Sequence, residues 1–267
     1  MRRNDEELKR RICLNFSSVF VMSRRLSIVS FDAVSTLIKP GGGGVGRQYA
    51  SAAERLVGRK YDPDVLQSAF LKEFKRQRNA FPNYGNEQNM SERQWWVDVV
   101  MAAFETASPD SRPATEQLLR VASHLFDNFE WELYPNVRQL LHHLKFSKGL
   151  QLCVVSNSDE RLGAVLRDKD LSAYFDLVLT SRGVGAEKPD DRIFKRVLQH
   201  FADENGAPMT PERVLHVGDD VVCDFDAAKS LGMRAALVDH RQSMAKADWI
   251  CHDLIELQRM IDAMIDA

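Results

Sequence analysis

The feature that most limits the fold is a change of rhythm after Pro135. From there the chain alternates short, continuous apolar runs with helical periodicity. Residues 150–155, 175–179, 213–217 and 235–238 read as strands, and 159–167, 191–201 and 223–231 as helices; a last short strand lies at Trp249 and a closing helix over 254–265. A strand with one wet face alternates polar and apolar residues, whereas an uninterrupted apolar strand must be covered on both faces. Such strands alternating with helices predict an α/β fold with a doubly wound parallel sheet. One more apolar run, residues 26–31, lies far upstream and supplies a further strand. In open sheets of this kind ligands bind beyond the carboxyl ends of the strands, which is where chemistry should be sought.

The stretch between these parts reads differently. Residues 45–57, 64–79, 92–104 and 114–129 carry apolar residues at three- and four-residue spacing, with no strand-like run, so they predict an all-helical insertion. Ser91 followed by Gln94 suggests a capping box at one of its helices. Glycines 41–44 and Gly46 follow Pro40 and read as a flexible connection; no Gly-Lys-Ser/Thr follows, so they are not a phosphate loop. The expected organisation is a tail over 1–25, an α/β core over 26–40 and 132–267, and a helical insertion over 41–131.

At 267 residues the chain is long enough to bury a large core without a metal or disulfide to hold it. Lys plus Arg number 36 and Asp plus Glu 38, a net charge of −2, which gives no electrostatic case for nucleic acid or an anionic membrane. Cys13, Cys153, Cys223 and Cys251 are dispersed, which argues against a zinc site or redox pair and suits a reducing compartment. No apolar run approaches the ~20 residues of a membrane helix. Residues 1–25 hold six arginines, but Asp5, Glu6 and Glu7 oppose a mitochondrial address. The expectation is a cytoplasmic or nuclear protein with an unstructured tail, a mitochondrial location being the weaker alternative.

Four strand ends carry distinctive polar groups. Asp32 directly follows the first strand, as a nucleophile or as a turn former. Ser156 and Asn157 follow the second, as donors to an oxyanion or within a helix cap that Ser158 or Asp159 could supply. Lys188 precedes Pro189, as a charge facing a phosphoryl group or as a surface lysine. Asp219 and Asp220 follow Gly218, with Asp224 beyond; clustered carboxylates suit Mg²⁺, and the plainer reading is a capped helix start.

Taken together, Asp32, Ser156-Asn157, Lys188-Pro189 and Gly218-Asp219-Asp220, each in order at a strand end, resemble the four motifs of the haloacid dehalogenase superfamily. The resemblance spans residues 26 to about 240, and the helical insertion falls where that superfamily places its type 1 cap. More narrowly, Phe81-Pro-Asn-Tyr-Gly85, Arg93-Gln-Trp-Trp-Val-Asp-Val-Val100, Lys188-Pro-Asp and His216-Val-Gly-Asp look like the domain-containing protein 3 group of haloacid dehalogenase-like hydrolases. The resemblance implies a hydrolase in which the Asp32 carboxylate attacks phosphorus and forms an aspartyl-phosphate. It implies Mg²⁺ held by Asp32, the Val34 carbonyl and Asp219, with Asp224 or Asp220 in support. It implies phosphoryl contacts from Thr36, Ser156 and Asn157, charge balance from Lys188, and a small phosphorylated metabolite as substrate.

One departure matters. Phosphatases of the superfamily usually carry a second Asp two residues after the nucleophile, which protonates the leaving alcohol; here that residue is Val34. Ser35 and Asp220 are the candidate replacements. The expected activity is therefore weak. The alternatives are a pseudoenzyme that keeps the fold as a binding module, and a metal-free 2-haloacid dehalogenase, which needs no such acid but ordinarily lacks the paired carboxylates of Asp219 and Asp220. In the insertion, Tyr84, Trp95 and Trp96, with Phe81, are either core aromatics or a surface closing over the site; adjacent tryptophans on a helix point about 100° apart, so at most one should face a substrate. The loop 81–89 reads as polar and long enough to move.

Overall fold

The computed structural model of the chain describes residues 25–108, 114–202, 206–245 and 247–266, so the N-terminal tail and its targeting reading lie outside the described residues. Six strands, β1 (Ile28–Phe31), β4 (Gln151–Ser156), β5 (Leu177–Thr180), β6 (Val214–Gly218), β7 (Arg234–Val238) and β8 (Ile250–Cys251), pair in the order β5-β4-β1-β6-β7-β8. Every pairing is parallel. The chain starts in the middle of the sheet and is wound outward in both directions, which makes the carboxyl ends of β1, β4 and β6 the switch point.

Both faces are covered, as the continuous apolar strands require. Val29, Phe31, Leu152, Val154, Leu215 and Val217 share one core with α5 (Val137–His142), α6 (Leu162–Asp168) and α8 (Leu254–Asp266). Ile28, Cys153, Val155 and Val214 share the other with α7 (Asp191–His200) through Ile193, Phe194 and Val197. Ser30 interrupts this second face at the centre of the sheet, level with Cys153 on one side and His216 on the other. Among the described residues, no helix is long and apolar enough to cross a membrane.

Residues 45–128 add α1 (Val45–Val57), α2 (Pro63–Ala80), α3 (Glu92–Ala107) and α4 (Thr115–Asn128). Their apolar stripes meet in a separate core that includes Tyr49, Leu66, Val100, Phe104, Leu118 and Leu125. Asp62 caps α2 by accepting from the N–H groups of Asp64 and Val65, and Pro63 opens the helix where an N–H would go unused. At α3 only half of the expected capping box forms. Ser91 accepts from the Gln94 N–H, while the Gln94 side chain donates to Asp98 instead.

Three features depart from the sequence reading. First, β2 (Ile38–Pro40) and β3 (Trp131–Leu133) form an antiparallel ribbon where the chain leaves and re-enters the sheet domain. Three-residue strands this far apart in sequence carry no periodicity to detect. Second, the glycine run is an ordered turn. Gly42, Gly43 and Gly44 take φ of 58°, 83° and 106°, a left-handed path that side chains would resist. Gln48 fixes it, donating to the carbonyls of Gly41 and Glu130 and accepting from the Glu130 N–H, so one side chain ties both crossings together. Third, the helix after β4 starts at Leu162, and a π-helical turn (Val221–Asp226) precedes the helix after β6. At both places the first polar residues are drawn into site contacts.

Replacing Gln48 with alanine removes three bonds at a half-buried junction. The variant is expected to lose about 1 kcal/mol of stability in urea unfolding, since each bond exchanges largely with water.

Candidate active site

The site grows from the end of β1. The Asp32 N–H donates to the Val217 carbonyl (2.8 Å), which extends the β1–β6 ladder and fixes the carboxylate beyond the sheet edge. The chain then doubles back. Ile38 N–H donates to the Ala33 carbonyl and Ser35 N–H to the Ile38 carbonyl, with Ser35 at φ 68°. This bridge between Val34 and Ile38 uses the neighbours' backbone groups and leaves the Val34 carbonyl out of its bonds. Thr36 is fully buried; its hydroxyl makes no hydrogen bond to the described residues, and its carbonyl accepts from His240 Nε2.

Lys188 is the centre of the site. Only 2% exposed, it directs Nζ to Asp32 Oδ1 (2.7 Å), Asp224 Oδ1 (2.6 Å) and the Val155 carbonyl (2.9 Å), which uses all its donors. Burial works against its charge, but the two carboxylates outweigh burial and hold its pKa upward. Burial also works against Asp224, where Lys188 and His216 prevail and push its pKa down. At Asp32 burial, reinforced by the Asp224 charge, prevails over Lys188 and Ser156 and pushes the pKa up. Asp219 is raised to about 7, first by burial and then by the charges of Asp32 and Asp224. Three carboxylates thus act on one ammonium, and the cost of their crowding appears at Asp32 and Asp219, whose charged forms are disfavoured.

Two of the carboxylates have their partners within the protein. Asp224, read as a metal ligand, has both oxygens in use. Oδ1 meets Lys188 and His216 Nε2, and Oδ2 accepts from the N–H groups of Asp219 and Asp220. It aims the lysine and shapes the turn. Asp220, read as a candidate acid, accepts from the N–H groups of Val222 and Cys223, which is the plainer reading of a helix cap. Gly218 makes this packing possible: a Cβ there would sit 2.1 Å from the Asp224 carboxylate carbon. His216, given no role from sequence, lies wholly buried in β6 with Nδ1 on the Ser30 hydroxyl (2.9 Å) and Nε2 on Asp224 (3.1 Å). The available signal was a histidine within an apolar central strand, which must find polar partners if buried.

Asn157, read as a donor to an anion, is also turned to Lys188. Its Oδ1 accepts from the Lys188 N–H (2.7 Å) and its Nδ2 donates to the Lys188 carbonyl (2.8 Å). Ser156 is buried at the end of β4 and contributes to the balance at Asp32.

The helical insertion meets the strand ends through polar contacts. Trp96 Nε1 donates to Asp159 (2.6 Å), and Asp159 also holds Arg161. Trp95 is a core residue, 1% exposed, with its indole N–H on the Phe81 carbonyl, so of the tryptophan pair only Trp96 reaches the seam. Tyr84 donates to the Asn157 carbonyl, Asn83 to that of Ser181 and Asn86 to that of Arg182, while Arg182 donates to the carbonyls of Tyr84 and Met90. The stretch expected to move is therefore pinned along much of its length.

A family model for haloacid dehalogenase-like hydrolases matches residues 26–232 of this chain. The chain is 37% identical over 227 residues to haloacid dehalogenase-like hydrolase domain-containing protein 3 of Mus musculus, a match covering 81% of this chain and 84% of that protein. Its fold resembles the magnesium-bound HAD-hydrolase YfnB of Bacillus subtilis (TM-score 0.65, 16% identity, covering 89% and 99% of the two chains). It also resembles the L-2-haloacid dehalogenase of Xanthobacter autotrophicus (TM-score 0.59, 20% identity, covering 90% and 99%). The chain belongs to the haloacid dehalogenase-like hydrolase family. The two structural likenesses establish the fold and do not choose between chemistry at phosphorus and at carbon.

Two substitutions test the packing of the site. Lys188→Met leaves two buried carboxylates facing each other and should cost about 3–5 kcal/mol in chemical denaturation. Gly218→Ala drives a methyl into Asp224 and should cost about 1–3 kcal/mol, with the loss appearing as a lower midpoint at an unchanged slope.

Proposed function

We propose that this protein is a Mg²⁺-dependent phosphatase of low intrinsic rate that acts through an aspartyl-phosphate on Asp32. The observation that carries the reading is the buried Lys188 ammonium bound to one oxygen of Asp32 and anchored on Asp224. A carboxylate held this way keeps one orientation, and phosphoryl transfer depends mainly on positioning and charge neutralisation.

The donor set fits the metal that this superfamily generally uses. Asp32 has its pKa pushed up by burial and the Asp224 charge, Asp219 has its pKa pushed up by burial and the charges of Asp32 and Asp224, and the Val34 carbonyl is left out of the turn's bonds. Among the described residues no three His, Cys, Asp or Glu side chains form a ligand cluster, so an ion here would rest on two carboxylates, a carbonyl and water, as Mg²⁺ tolerates. When bound, it would offset the charge of the carboxylates and of a phosphoryl group. Asp32 attacks phosphorus while the bond to the leaving oxygen breaks, and water then cleaves the aspartyl-phosphate. Lys188 balances the added negative charge, and Ser156 and Thr36, whose buried hydroxyl has no partner among the described residues, are the donors for the phosphoryl oxygens. The helical insertion serves as the cap that shapes the substrate's surroundings, with Tyr84 and Trp96 at its seam.

Val34 sets the expected weakness. It cannot give a proton to the leaving group, Asp220 is occupied by its helix cap, and Ser35 is a poor acid. General acid help is worth about 10²–10⁴-fold. Steady-state hydrolysis with Mg²⁺ should therefore favour aryl over alkyl phosphates by a factor in that range, and should vanish with EDTA or in Asp32→Asn. Equal rates on the two substrates would overturn this account of Val34. The same valine favours a second reading, a binding module that retains the pocket without turnover; Mg²⁺-dependent binding of beryllium fluoride by the wild type but not by Asp32→Asn would argue against it. Dehalogenation is disfavoured, because Asp219 beside Asp32 would repel a haloacid's carboxylate.

A further inference from the structure

The contact between insertion and core at Tyr84 leads directly to the catalytic lysine. Tyr84 Oη donates to the Asn157 carbonyl (2.9 Å). The side chain of the same Asn157 brackets Lys188, accepting from its N–H (2.7 Å) and donating to its carbonyl (2.8 Å). Lys188 Nζ then reaches Asp32 and Asp224. One hydroxyl from the insertion thus fixes the peptide whose side chain fixes the backbone of Lys188.

The backbone at Tyr84 is unusual in a way that serves this contact. Asn83 and Tyr84 both take left-handed conformations, with φ of 47° and 58°. Asparagine tolerates that region, but tyrosine does so only when its surroundings impose it. Here Arg182 holds the Tyr84 carbonyl (2.7 Å), Asn83 bonds the Ser181 carbonyl (2.9 Å), and the ring packs against both Trp95 and Trp96. Burial, aided by the Asp159 charge, pushes the phenol pKa up and keeps the hydroxyl a donor.

We infer that Tyr84 is a positioning residue for Lys188, so that seating of the insertion and placement of the lysine are one event. The inference rests on the reading of Lys188 given above, and its test separates the two. Amide hydrogen exchange is followed by NMR in the metal-free full chain, and aryl-phosphate turnover is measured in parallel with Mg²⁺. Tyr84→Phe should raise exchange at the Lys188 amide on the order of tenfold, leave amides of β6 such as Leu215 unchanged, and lower kcat by a similar factor with KM within about twofold. Fluorotyrosine at position 84, a stronger donor in the same shape, should slow exchange at the Lys188 amide, and it supplies the test if the Phe variant does not fold. An unchanged Lys188 amide in both proteins overturns the inference, as does uniform loosening of all amides. Faster Lys188 exchange in a protein whose wild type hydrolyses no phosphate upholds the coupling and overturns the phosphatase reading instead.

Discussion

A single ammonium group, sealed below the end of the sheet, is what the rest of the site is arranged around. Burying Lys188 forfeits its hydration, and such a charge persists only with well-aimed opposite charges and every donor satisfied. The requirement reaches far along the chain. Asp32 comes from β1, the Val155 carbonyl from β4, Asp224 from the turn after β6, and Lys188 from the loop before α7. None of these elements can shift alone without unpairing a buried charge. Such a pair is poor evidence of net stability, since its attraction mostly repays desolvation, but it is strong evidence of a specified geometry.

The supporting residues follow from the same need. Asp224 can face Lys188 only because Gly218 has no side chain where the carboxylate lies, and because His216 and two backbone N–H groups satisfy its remaining lone pairs. His216 in turn needs Ser30, the one polar residue on that face of β1. A line of hydrogen bonds therefore runs from the middle of the sheet to the carboxyl ends of its strands. The line supplies orientation and charge, and Val34, close to Asp32 in sequence, has no proton to transfer.

The parallel sheet was legible because strands buried on both faces must be continuously apolar, and the strand ends were legible because fold geometry assigns ligands there. What spacing could not tell was which neighbour each polar side chain would choose. Asn157 could serve an anion and Asp224 a cation, yet Asn157 is used on the backbone N–H and carbonyl of Lys188 and Asp224 on its ammonium, since buried polar groups take partners within the protein. Asp220 went to the helix behind it, the commonest use of an aspartate in that position. The β2–β3 ribbon and the Gln48 junction were invisible because their partners meet only after the whole insertion has folded. His216 was visible as a residue and illegible as a role until Ser30 and Asp224 stood on either side of it.

The division of the molecule into apolar cores also sets how the insertion meets the strand ends. The insertion packs its own core, and its seam with the strand ends combines hydrogen bonds to backbone carbonyls, the Trp96–Asp159 contact and the Arg78–Glu187 and Arg182–Glu92 ion pairs. Each bond of that kind adds only about 0.5–1.5 kcal/mol, because water offers nearly as good a partner. A seam built this way gives little adhesion but strict alignment: a hydrogen bond fails beyond a few tenths of an ångström, whereas an apolar contact slides. Asn157 lies both on the seam and on Lys188: its carbonyl takes the Tyr84 bond, and its side chain brackets the Lys188 backbone through two further hydrogen bonds.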